Sequence, residues 1–204
     1  TPDKGSISYE GRIYSELSLE EQRDLRQEMG MVFQGSALFD SMTVEGNVMF
    51  PLEMFTKQSK GEMQDRVDFV LERVNLVDAH KKFPAEISGG MQKRVAIARA
   101  IVMNPKYLFC DEANSRLYPK TEILIEKLIQ EIMIEYNITT VINTHDMNSV
   151  MEIGEKIVFL RHGEKEREGS HQDIFRTDNQ AVSNFVYSSE LFKKVRQMYL
   201  EERD

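Results

Sequence analysis

The sequence predicts an α/β fold, a mainly parallel sheet with flanking helices and a helical subdomain inserted between two of its strands. Three observations point to it. The runs "MGMVFQ", "YLFC" and "ITTVINTHD" are each about one buried strand long and alternate with stretches of helical periodicity. Polar side chains end them: Gln34, the Asp111 and Glu112 pair, and His145, at the kind of sheet edge where ligands collect in open α/β folds. Between Gln34 and Tyr107 the readable elements are helices, which marks the insertion.

Taken in order, "SISYEGRI" alternates around a Glu-Gly turn and reads as a short hairpin. Ser18 with Glu21 is a capping-box pattern opening a polar helix to about Glu28, and the strand ending at Gln34 follows. The Met- and Phe-rich stretch "LFDSMTVEGNVMFPLEMF" has no clean period and suits either core or a surface that packs on another chain. Met63, Val67, Val70, Leu71 and Val74 recur at helical spacing from Gly61 to Asn75. A second helix runs from Met91 to Met103 and stops at Asn104-Pro105, before the strand from Tyr107 to Cys110. Pro119 opens a third helix to Tyr136, with Ile125, Leu128, Ile129 and Ile132 on one face. The β-branched strand ending at His145 is followed by "KIVFLRHGEKEREG", a hairpin turning at His162-Gly163, and by a helical tail over residues 178–204.

Composition narrows the function classes. The 204 residues are 41% hydrophobic and 29% charged, enough for one large domain or a domain with a subdomain. A net charge of -8 argues against a phosphate-backbone footprint, so no nucleic-acid partner is expected. One cysteine, Cys110, cannot form an internal disulfide, fits a reducing compartment and reads as a small buried core residue. No stretch approaches the roughly 18 consecutive apolar residues of a membrane span, and the first residues are not a signal peptide, so the chain is expected to be soluble by itself. The sequence begins with Thr1 rather than Met, from which an upstream segment is expected.

Two stretches carry chemistry. "EISGGMQKRVAIARAI" puts Ser88, Gly89 and Gly90 at a helix N-terminus, where close backbone approach and the positive dipole end suit a phosphate. The plainer alternative is an N-cap and a turn. "YLFCDE" delivers Asp111 to the carboxyl end of a strand, suited to holding Mg2+ through water, with Glu112 beside it to polarise a water attacking a γ-phosphate. A strand ending on two solvated acids is the alternative there. His145 and Gln34, each at a strand end, could reach the same edge, and each taken alone is also compatible with a structural role.

Gln34, Ser88-Gly89-Gly90, Asp111-Glu112 and His145, in that order, resemble the nucleotide-binding domain of an ABC ATPase through essentially the whole chain. The resemblance implies a P-loop NTPase-like fold, with 1–204 a partial ABC ATPase domain and about 38–104 its helical signature subdomain. It makes Gln34 the Q-loop glutamine and Ser88, Gly89, Gly90 and Met91 the signature that touches ATP of a partner subunit. Asp111 becomes the Walker B aspartate, Glu112 and His145 the catalytic residues, and Asp111 with Gln34 the Mg2+ ligands. Ser115 and Tyr118 fall in the D-loop at the dimer interface. "VFQGSALFDSMTVEGNV", "NTHDM", "EGSHQDIF" and "FVYSSEL" are similar to the ATPases of Mla or Mce-type phospholipid transporters, where Met91 is usual.

Two features depart from the family. No Gly-Lys-Ser/Thr occurs, so the phosphate-cradling loop is absent from these residues; a strand, loop and helix of about 30 residues or more is expected upstream. The isolated 204 residues are therefore expected to bind ATP-Mg weakly and not to hydrolyse it. In the D-loop, Ala113, Arg116 and Tyr118 stand where the family has Pro, Gly and Asp, and Gly46 replaces a frequent acid. These changes are expected to weaken dimer closure more than the carboxylate chemistry.

The resulting expectation is a cytoplasmic, membrane-peripheral ATPase: a homodimer closing on two ATP molecules and driving a membrane permease docked from Gln34 to Leu52, for phospholipid or a related substrate. The alternative is a non-catalytic ABC-type regulatory module or degenerate copy. An ABC ATPase of DNA repair or translation is disfavoured by the acidic charge and the absence of zinc-site cysteines.

Overall fold

The computed structural model describes residues 2–115, residues 117–187 and Lys194. The strands are β1 (Ser8–Tyr9), β2 (Arg12–Ile13), β3 (Met29–Val32), β4 (Tyr107–Asp111), β5 (Thr139–Asn143), β6 (Ile157–Arg161) and β7 (Glu164–Gly169). The α-helices are α1 (Leu19–Gln27), α2 (Val44–Phe55), α3 (Lys60–Arg73), α4 (Gly89–Ile101), α5 (Pro119–Tyr136), α6 (Met147–Ile153), α7 (His171–Phe175) and α8 (Gln180–Val186). They form two compact units, Thr1–Asn143 and Thr144–Asp204.

In the first unit β3, β4 and β5 form a parallel sheet in that order, as expected of strands joined by helical crossovers. Its faces differ. Gly30, Val32, Leu108, Cys110 and Ile142 lie on the face that shares one core with α2, α3, α4 and α5. On the other, Met31, Phe109 and Val141 stand in one cross-strand row, and Met31 and Val141 are exposed among the described residues. At Gly30 β3 passes close to α4: a Cβ there would stand 2.3 Å from the Ala100 carbonyl oxygen.

Local signals account for most boundaries. Ser18 and Glu21 close the expected capping box, and Ser59 with Glu62 makes a second one at the start of α3. Proline at N1 starts α5, and Asn137 ends it in the left-handed region at φ 51°. Glu10 (φ 50°) and Gly11 (φ 77°) turn the first hairpin, which docks by Tyr9 edge-on to Tyr107 and by Arg12 on Glu28 at 3.0 Å.

Several expectations need correction. The stretch before Thr56 is a helix, α2, capped by Thr43 and carrying Pro51 in its interior. Its buried Val44, Val48 and Leu52 belong to the core, while Met54 and Phe55 are exposed, so the stretch is both core and surface. Strand β3 stops at Val32, so Gln34 lies in the following loop, and β5 stops at Asn143, two residues short of His145.

The second unit is built from α6, the antiparallel β6–β7 hairpin, α7 and α8, around Ile174, Val182, Val186 and Tyr187. His162 (φ 50°) and Gly163 (φ 81°) form the expected turn. Helices α6 and α7 are too short to show a period in sequence. The expected tail helix is described only as far as α8, and the remainder lies outside the described residues.

Candidate functional site

The carboxyl edge of the parallel sheet gathers three of the expected site residues. Asp111 is the last residue of β4 and pairs in register with Asn143 of β5. The Asn143 side-chain amide donates to Asp111 Oδ1 at 2.7 Å, which fixes one carboxylate oxygen. Glu112 follows in the left-handed region at φ 44°, a conformation costing a non-glycine residue about 1–3 kcal/mol that is characteristic of functional sites. Its backbone N–H donates to the Asn143 carbonyl at 2.9 Å, and its Oε2 accepts from Gln34 Nε2 at 2.6 Å. Gln34 and Glu112, separated by 78 positions in sequence, are thus in direct contact.

The loop that carries Gln34 is held by helices. Ser36 (φ 63°) and Ala37 (φ 47°) are consecutive left-handed residues, and their carbonyls accept from Arg99 of α4 at 2.8 Å each. Burial lowers the pKa of that guanidinium, and hydrogen bonds to carbonyl oxygens offset part of the desolvation. Asn47 of α2, fully buried, accepts from the Phe39 N–H and donates to the carbonyls of Phe39, Met42 and Thr43. Lys93 of α4, only 3% exposed, donates to the carbonyls of Phe33 and Gln34. Sequence reasoning missed Lys93, Arg99, Asn47 and Asn143. The only sequence signal for the first three is a polar side chain at a position that helical periodicity assigns to the interior.

The expected signature residues occupy the N-terminus of α4. Ser88 is its N-cap and accepts from the Met91 N–H at 3.3 Å, so the capping reading and the phosphate reading use the same geometry. Gly89 is exposed, and a Cβ on it would make only ordinary contact with Leu117, whereas one on Gly90 would lie 2.8 Å from Thr121 Cγ2 of α5. Gly90 thus allows α5 to pack closely against the signature turn, and Gly89 keeps the approach from solvent open.

Of the expected D-loop residues, Ala113 is buried, and Ser115 is half-buried with its hydroxyl oxygen unpaired. Tyr118, 85% exposed, sits at the N-cap of α5 without a capping hydrogen bond. Arg116 lies outside the described residues. His145 is exposed in the second unit, between β5 and the Asp146 N-cap of α6. Cys110 is buried in β4, and desolvation pushes its thiol up to about 12, the behaviour of an inert core residue.

Among the described residues no group of three or more His, Cys, Asp and Glu side chains could hold a metal ion. The oxygens of Asp111, Glu112 and Gln34 nevertheless fit Mg2+, which is commonly held by one or two carboxylates and completes its shell with water and nucleotide phosphate. Gln34 uses its nitrogen on Glu112 and keeps its carbonyl oxygen as a ligand atom.

A parallel α/β sheet whose carboxyl edge gathers Asp, Glu and Gln, with a glycine-rich helix start on α4, belongs to the P-loop NTPase-like class of α/β folds. The chain belongs to the ABC transporter family, whose model matches residues 1–115, more than half of its length. It is 39% identical over 188 residues to a methionine import ATP-binding protein, MetN 1, of Bacillus thuringiensis subsp. konkukian, covering 92% of this chain and 55% of the relative. Another, MetN of Carboxydothermus hydrogenoformans, is 41% identical over 198 residues, covering 95% of this chain and 58% of the relative. Among solved structures, the dimeric post-hydrolysis state of the ATP-binding cassette MJ0796 bound to ADP and Pi matches with a TM-score of 0.74 and 32% identity. That match covers 83% of this chain and 74% of the other.

The chain therefore spans little more than half the length of these curated relatives. These relatives are named for methionine import, whereas the sequence alone leads to the expectation of phospholipid. No helix among the described residues is long and apolar enough to cross a membrane.

Proposed function

We propose that this chain is the ATP-binding, ATP-hydrolysing part of an ABC importer, acting as a dimer that drives a membrane permease. The observation that carries the chemistry is the Gln34–Glu112 contact beside Asp111, at the carboxyl edge of the sheet. In this reading Glu112 accepts a proton from the water that attacks the γ-phosphate, and Gln34 orients that water. Asp111, oriented by Asn143, holds Mg2+, which when bound neutralises charge on the phosphates. His145 takes the catalytic-histidine role that the family resemblance implies, and Ser88, Gly89, Gly90 and Met91 bind the nucleotide of the partner copy. Ser115 and Tyr118 serve the dimer interface. The similar MJ0796 structure, dimeric and bound to ADP and Pi, supports the dimer and the nucleotide.

The phosphate-cradling loop is supplied by residues outside these 204. The cross-strand row of Met31, Phe109 and Val141, in which Met31 and Val141 are exposed, supports this, since it offers an apolar sheet face for a covering helix. The relatives' names support methionine, or a closely similar amino acid, as the transported substrate. The permease is expected to dock on the surface from Gln34 to Leu52, where Phe39 is exposed, which would hold the protein at the cytoplasmic face of a membrane.

The test is ATP turnover and nucleotide affinity of the full-length protein and its Glu112→Gln variant. Loss of hydrolysis with ATP affinity retained is expected. Unchanged turnover would overturn the assignment of Glu112, and an absence of ATP binding by the full-length wild type would favour a non-catalytic module. Methionine uptake by vesicles containing the permease tests the substrate.

A further inference from the structure

We propose that Lys93 is a positioning residue for Gln34 and ties the signature helix mechanically to the hydrolytic site. This rests on the reading of Gln34 and Glu112 given above.

Lys93 lies on the first turns of α4, downstream of the signature glycines, and its side chain runs inward. A lysine so deeply buried is costly unless its ammonium is hydrogen-bonded. Here the ammonium donates to the carbonyls of Phe33, at 3.2 Å, and of Gln34 itself. The Phe33 carbonyl also accepts from the Ser36 N–H at 3.0 Å, closing the turn just beyond Gln34. Backbone on the C-terminal side of Gln34 is held by the same helix, through Arg99 on Ser36 and Ala37.

Gln34 has therefore little freedom relative to α4, and its amide reaches Glu112 from a fixed base. A displacement of α4 at its signature end pulls on residues 33–34 through the Lys93 ammonium. Arg99 grips the loop further on, so the two cations have different consequences. Arg99 fixes the two left-handed residues of the loop; Lys93 fixes the carbonyl of the glutamine that works at the site. Since Lys93 is covered and touches backbone, it acts through Gln34 and not on nucleotide.

The experiment compares full-length wild type with K93M, K93R, Q34A and the Q34A/K93M double variant in ATP turnover, with melting temperature and hydrogen exchange over residues 33–37. Loss of fixed geometry at a reacting group costs on the order of tenfold to a hundredfold in rate. K93M is expected to lower kcat by about tenfold or more with KM for ATP within about twofold. K93R, which keeps charge and donors, should stay within about threefold of wild type. Q34A/K93M should be no slower than Q34A alone, because both remove the same positioned amide. Hydrogen exchange at the Ser36 amide should speed up in K93M.

K93M turnover within twofold of wild type, or losses that multiply in the double variant, would overturn the role of Lys93. A Q34A variant at the wild-type rate would instead overturn the hydrolytic reading of Gln34, and Ser36 exchange would still report whether Lys93 holds the loop. If K93M does not fold, K93Q, which lacks the charge and reaches less far, is read by the same outcomes.

Discussion

Replacing Asn47 by alanine should be among the most damaging single changes to the loop that presents Gln34. Asn47 is fully buried and uses its whole amide: its Oδ1 accepts from the Phe39 N–H at 2.8 Å, and the two N–H bonds of its Nδ2 are shared among the carbonyls of Phe39, Met42 and Thr43 at 3.1, 3.2 and 3.0 Å. A hydrogen bond contributes roughly 0.5–1.5 kcal/mol net, and a buried group left without its partner costs about 1–3 kcal/mol. Counting about 1 kcal/mol for the accepted bond and for each of the two N–H donors, the Asn47→Ala variant should lose about 3 kcal/mol. Asn47→Asp should lose at least as much, since a carboxylate cannot donate and would face carbonyl oxygens at the end of a buried helix turn. Urea unfolding followed by circular dichroism measures both. An Asn47→Ala cost below about 1 kcal/mol would refute the claim that this side chain organises the loop.

Two further outcomes follow from the core. Gly30→Ala should destabilise by about 1–3 kcal/mol or more in the same unfolding assay, because the added methyl would stand 2.3 Å from the Ala100 carbonyl oxygen and force β3 and α4 apart. A neutral result would mean that the strand and helix are not in that close approach. Cys110 should resist iodoacetamide at pH 8 in the folded protein and react fully in urea, since burial pushes its thiol up to about 12 and leaves almost no thiolate. Labelling of the native protein at the rate of a free cysteine would place β4 outside the core.

Much of the first unit was legible in the sequence because its signals are local. The Ser18–Glu21 capping box, Pro119 at the first turn of α5 and the spacing of Val67, Val70, Leu71 and Val74 each act within a few residues, and each produced the expected element. Helix α2 was not legible as a helix, because Pro51 lies inside it and its apolar residues serve two surfaces, Val44, Val48 and Leu52 inward and Met54 and Phe55 outward. Strand ends were also misplaced. Whether Phe33 and Gln34 or Thr144 and His145 extend a strand depends on pairing with a neighbour, which the residues themselves do not encode.

The sequence by itself determined the fold class, most of the longer elements and the chemical repertoire: an α/β chain with Asp111 and Glu112 at a strand end, a glycine-rich helix start at Ser88, and no Gly-Lys-Ser/Thr. Only the tertiary structure decided which of these groups meet. Gln34 reaches Glu112 across 78 positions, Asn143 orients Asp111 through a register pair, and Lys93 carries its ammonium through the core to the carbonyls at Phe33 and Gln34. The physical reason is that periodicity reports which face of an element is apolar, whereas a hydrogen bond between distant elements depends on how those faces stack. A buried lysine in a helix breaks the apolar pattern without naming its partner, and folding supplies the partner.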